Sequence, residues 1–163
     1  MLRTLPFVWL LTACPAPSDT DPTEPSVPDT DPVCTSGTYW TGGNEESPNM
    51  NPGEDCVACH ASGEGPNFTV GGTVMGDYAD QDDCNGVKGV SVQITDANGN
   101  LHEFESNNAG NFYTNQNIAL PVSIVLEYDG RTRAMLGSPD TLACNSCHTV
   151  QGENDAPGRI LAP

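Results

Sequence analysis

Cationic side chains are scarce in this chain of 163 residues: 5 Lys and Arg stand against 22 Asp and Glu, a formal net charge of -17. A phosphate backbone is gripped through clustered Lys and Arg, so a nucleic-acid-binding role is excluded. Unassisted adsorption to anionic lipid is excluded on the same ground. Aromatics are also few, at 6%, and the apolar share is only 36%. That is too little for a two-layer helical core built from side chains alone. The longest apolar run, Leu5 to Leu11, is too short to cross about 30 Å of hydrocarbon as a helix.

What the chain does hold is cysteine, glycine and proline, at 7, 17 and 14 copies. Seven cysteines are many for a reducing compartment and point to export. Arg3 ahead of the Leu5–Leu11 run has the form of a short export signal, residues 1–13. Leu11-Thr12-Ala13-Cys14 resembles a bacterial lipobox, which implies that Cys14 becomes the lipidated first residue of a lipoprotein at the outer membrane, at the cell surface or outside the cell. The following stretch, 14–33, alternates Pro, Ser, Thr and acids. It has almost nothing to bury and reads as a disordered acidic tether.

Two segments match Cys-x-x-Cys-His: Cys56-Val57-Ala58-Cys59-His60 and Cys144-Asn145-Ser146-Cys147-His148. The pattern resembles the attachment motif of c-type cytochromes. There, two thiols three positions apart reach the porphyrin vinyl groups and the next imidazole sits under the iron. The resemblance implies two covalently attached haem c groups, on Cys56, Cys59, Cys144 and Cys147, with His60 and His148 as proximal iron ligands. Segments 34–68 and 137–163 would be the two haem-binding parts. For the distal positions the chain offers His102, Met50, Met75 and Met135. Other uses of paired Cys-x-x-Cys are a four-thiolate zinc or iron-sulfur site, a thioredoxin-like redox pair, or a fold stapled by disulfides.

Residues 69–136 read as a domain of five or six short antiparallel strands. Val90, Val92 and Ile94 alternate onto one face, and Asn98-Gly99 and Asp129-Gly130 mark hairpin turns. The fold class expected is mostly β, a small antiparallel sandwich flanked by irregular segments. Gly72-Thr73-Val74, Gly89 to Val92, Asp96 with Gly99 and Gly110-Asn111-Phe112 resemble the carboxypeptidase regulatory-like, prealbumin-type sandwich family. That resemblance implies an immunoglobulin-like module with no catalysis of its own. Cys34 and Cys84 remain as a pair, most simply a disulfide. Asp77, Asp80, Asp82 and Asp83 crowd one loop; Ca2+ would suit their hard oxygens, but the spacing misses the EF-hand pattern and solvated acids are the plainer reading.

Together these features describe an exported dihaem cytochrome that transfers single electrons and is not an enzyme. Its acidic surface would dock redox partners with basic surfaces. The alternatives are a subunit of a polymeric haem wire, built by self-association into a filament, and a haem peroxidase or ligand sensor using an open iron face.

Overall fold

The computed structural model describes residues 33–163. The signal segment, Cys14 and nearly all of the tether lie outside the described residues.

Among the described residues, seven strands form two sheets. β1 (Val70–Met75), β4 (Asn111–Thr114) and β7 (Ile160–Leu161) make the first, in the order β4-β1-β7. β1 runs antiparallel to β4 and parallel to β7. β2 (Ser91–Thr95), β3 (Leu101–Glu105), β5 (Ser123–Tyr128) and β6 (Arg131–Ala134) make the second, wholly antiparallel and ordered β3-β2-β5-β6. One short helix, α1 (Cys56–Cys59), continues into an irregular turn over His60–Glu64, and a single 3-10 turn covers Cys144–Ser146. The molecule is therefore mostly β.

The local reasons are readable. In β2, Val92 and Ile94 are fully buried while Ser91 and Gln93 are half-buried, the period-2 alternation of a strand with one face inward. The β2–β3 hairpin turns at Gly99, whose φ of 82° is one that only glycine adopts freely. Asp96 closes that turn by accepting from the backbone N–H of Asn98 and Asn100, at 2.9 and 2.8 Å. The β5–β6 hairpin uses Asp129 and Gly130, both at positive φ, as a two-residue primed turn requires.

A single apolar cluster joins the sheets: Val70 and Val74 of β1, Val92 and Ile94 of β2, Phe112 of β4 and Leu126 of β5. Full burial of a side chain of this size contributes about 1.5–3 kcal/mol. β1 differs from every other strand in being buried along its whole length. It holds Gly71 and Gly72 where others carry side chains, and both are needed. A Cβ on Gly71 would lie 2.4 Å from Cys56 Sγ, and one on Gly72 would lie 2.6 Å from Phe112 Cζ and 2.9 Å from Cys144 Cβ. The bare strand is the surface on which both Cys-x-x-Cys-His segments rest.

Cys34 and Cys84 form a disulfide across 50 residues, with Cα atoms 5.3 Å apart. It pins the start of the described chain to the loop after β1.

Candidate functional site

The first Cys-x-x-Cys-His segment begins at Asp55, whose carboxylate accepts the Ala58 N–H at 3.0 Å and caps α1. The His60 ring bonds through Nδ1 to the Pro66 carbonyl at 3.0 Å, which closes the following turn. His60 lies against Phe68 with ring centroids 4.4 Å apart, and Phe68 against Tyr113 of β4 at 4.6 Å. The second segment turns tightly at Cys144–Ser146, and His148 Nδ1 bonds the Gly158 carbonyl at 2.8 Å. Each imidazole is thus oriented by one backbone carbonyl a few residues downstream.

Buried polar side chains tie the two segments to each other. Asn145, the first residue between the cysteines of the second motif, is 4% exposed. Its Nδ2 donates to the Glu54 carbonyl at 2.8 Å and to Thr73 Oγ1 at 3.0 Å, and its Oδ1 accepts the Thr73 N–H at 3.0 Å. Thr73 Oγ1 also accepts the Gly53 N–H at 2.9 Å and donates to Asn111 Oδ1 at 2.8 Å. A hydroxyl has one proton and two lone pairs, and Thr73 uses all three. Asn111 in turn donates to the Met50 carbonyl at 3.0 Å. Arg159, 2% exposed, extends the network at the C-terminal end. Its Nε donates to the Asp80 carbonyl at 3.0 Å, and its guanidinium also reaches the Gly53 carbonyl and the Asp82 carboxylate.

Burial dominates the chemistry of the two innermost thiols. It pushes Cys56 up to about 11, with the Asp55 charge adding to the effect. It pushes Cys144 up to about 12, helped by Cys56 itself. Since the thiolate is the reactive form, both sulfurs are weak nucleophiles at neutral pH.

Beside the first segment opens a cavity of about 400 Å³. Met50, Cys56, His60, Phe68 and Tyr113 supply its apolar walls, and Glu46 and Glu54 are its carboxylates. Burial raises the Glu54 carboxyl above its ordinary range, and the neighbouring charges of Asp82 and Asp83 raise it further.

The residues singled out from the sequence are distributed unevenly. Cys56 lies against Gly71 of β1 and Cys144 against Gly72, while Met50 lines the cavity with His60 and lies beside Cys59 in a smaller pocket. His102 lies on β3, where its ring faces Asp96 and Gln116 at 3.4 and 3.3 Å. Met75 is wholly buried at the end of β1, and Met135 follows β6 at 39% exposure. The two motifs therefore sit against one strand, not at opposite poles of the β domain.

Several expectations are corrected. Among the described residues, no group of three or more His, Cys, Asp or Glu side chains is placed to hold a metal ion. The candidate distal ligands are scattered over separate elements, whereas Cys34 and Cys84 pair as the disulfide expected of them. The identification as a dihaem c-type cytochrome is therefore set aside, and with it one-electron transfer through haem c, iron coordination, the haem-wire filament and the peroxidase or sensor alternative. Ca2+ is set aside likewise, because the loop acids have other work. Asp80 is 1% exposed and accepts the N–H groups of Thr35, Gly76 and Asp77, while Asp82 pairs with Arg159.

Sequence reasoning missed the Thr73–Asn145–Asn111 network, Arg159, and the stacked Phe68 and Tyr113. Asn145 and Arg159 carry no local pattern; the long-range bridge of Ala143 to Gly71 brings in the first, and the pairing of β1 and β7 the second. No helix among the described residues is long and apolar enough to cross a membrane. No family model matches the chain, so the carboxypeptidase regulatory-like resemblance is also set aside. No curated protein and no solved structure matches it either.

Proposed function

We propose that this chain is an exported, non-catalytic binding module that takes a small, largely apolar molecule in the cavity beside α1. In this reading the two sheets close as a sandwich, and the motif segments form a rigid collar around β1. Cys14 carries the lipid anchor, residues 14–33 hold the body off the membrane, and the acidic surface docks proteins with basic faces.

The observation that carries it is the cavity itself. Its volume of about 400 Å³ falls in the range of small-molecule sites, and its walls pair aromatic and thioether surface with a few polar groups. The stack of His60, Phe68 and Tyr113 supplies flat surface for such a ligand. The high pKa of Cys56 and Cys144 supports binding over thiol exchange.

The test is titration with N-phenyl-1-naphthylamine, a neutral apolar dye that brightens out of water. Saturable brightening at one site, weakened about tenfold by Tyr113→Ala, is the expected result. Brightening that is absent, or indifferent to both Tyr113→Ala and Phe68→Ala, would overturn it. The anchor is tested separately: labelled palmitate should be incorporated into the full chain and lost in Cys14→Ser.

A further inference from the structure

The cavity is selective by charge as well as by polarity. Among the described residues no Lys or Arg lines it, while Glu46 and Glu54 do. Phe68 and Tyr113 stand 4.6 Å apart between centroids and line the same cavity as Met50. The negative face of an aromatic ring attracts a cation, more strongly where water is excluded. Outside the lining, Asp82 and Asp83 act on Glu54 with the same sign. The cation that opposes them, Arg159, acts on Glu54 more weakly and is buried and bonded to Asp82 and two backbone carbonyls. An anionic ligand would enter a concave surface with no positive partner, against a chain of net charge -17. A neutral one would leave the carboxylates partly desolvated without compensation.

We infer that the cavity binds an organic cation: an apolar or aromatic body carrying a quaternary or tertiary ammonium, its body against Phe68 and Tyr113 and its charge toward Glu54 and Glu46. This rests on the binding role proposed above and names the class of ligand for it. Glu54 is the specificity-determining residue. A cation beside it also relieves the repulsion that Asp82 and Asp83 impose on its ionised form.

The experiment is competition against bound N-phenyl-1-naphthylamine on the full chain. Three ligands of similar shape are compared: benzyltrimethylammonium, its uncharged carbon isostere neopentylbenzene, and the anion phenylmethanesulfonate. The ammonium should displace the dye at about one tenth the concentration of the isostere, and the sulfonate should fail to displace it. Glu54→Gln should shrink the preference for the ammonium to about threefold while leaving neopentylbenzene unaffected. That substitution keeps the Glu54 carbonyl, and with it the bond from Asn145. Equal displacement by ammonium and isostere would overturn the charge selectivity yet leave the apolar binding role standing. A dye that does not bind at all would overturn both. A preference unchanged in Glu54→Gln and Glu46→Gln alike would remove the carboxylates as its source.

Discussion

Asn145 illustrates how one side chain can hold a site together. It satisfies three polar groups from two distant segments, and both it and Thr73 are buried. In Asn145→Ala the Thr73 N–H and the Glu54 carbonyl lose their partners. Leaving such groups buried and unpaired costs about 1–3 kcal/mol each. We expect a loss of about 2–4 kcal/mol in urea denaturation, with the slope unchanged. Asn145→Asp should fall in the same range, because a carboxylate cannot donate to the Glu54 carbonyl. Asp96 carries an acid-dependent part of the stability. Hydrogen bonds from Asn100, from the Asn98 N–H and from His102 hold its carboxyl far below the usual range. The group is depressed in the folded state, so its contribution is complete above the unfolded value of about 3.9 and is lost as pH falls below it. Glu54 and Asp83 are raised instead, so their protonation favours the folded state over the same descent. Asp96→Asn should therefore lower the melting temperature most at pH 7 and by progressively less as the pH falls below about 3.9, which a calorimetric pH series would show.

At the scale of elements, β1 is the organising strand. It is the central strand of its three-stranded sheet, and among the described strands it alone is buried throughout. Its two glycines create the closeness on which the motif segments depend. Gly72→Ala would press a methyl group between Phe112 and Cys144. Overpacking of this kind costs about 1–3 kcal/mol. Gly71→Ala would instead meet the Cys56 sulfur, so α1 should lift while the sheet core stays in place. The two outcomes are separable. Alkylation of Cys56 should accelerate in Gly71→Ala, whereas a lower urea midpoint should dominate in Gly72→Ala.

For the whole molecule, the main opposing forces are a long covalent loop and a large excess of negative charge. The Cys34–Cys84 bridge spans 50 residues. Chain-entropy reasoning gives such a loop about 4 kcal/mol of stabilisation. Cys34→Ser with Cys84→Ser should lower the melting temperature by about 10 °C or more, and a reducing agent should reproduce the drop in the native chain. Self-repulsion acts the other way. A net charge of -17 destabilises the compact state, and its range shortens from about 30 Å at 0.01 M salt to about 3 Å at 1 M. The urea midpoint should rise steadily across that span of sodium chloride.

Much of the β architecture was legible along the chain. Six strands, the hairpins at Asn98-Gly99 and Asp129-Gly130, and the inward face of Val92 and Ile94 follow from alternation and turn chemistry, which act over a few residues. The cysteine pattern was equally visible, yet it led toward a cofactor because spacing alone says nothing about what surrounds a motif. The tertiary structure decided three things that no local signal carries. It added β7, a two-residue strand parallel to β1, which is held by residues more than eighty positions away. It placed both Cys-x-x-Cys-His segments on the same strand, through bonds such as that from Asn145 to Glu54 across 91 residues. It also assembled a cavity from Met50, His60, Phe68 and Tyr113, which belong to three separate stretches of chain. The scarcity of cations is a property of the sequence by itself, and it fixes the sign of the molecule's field. Where that field is enclosed by aromatic walls, and so where it can select a ligand, is set by long-range packing, because only burial makes a charge or a ring face strong enough to discriminate.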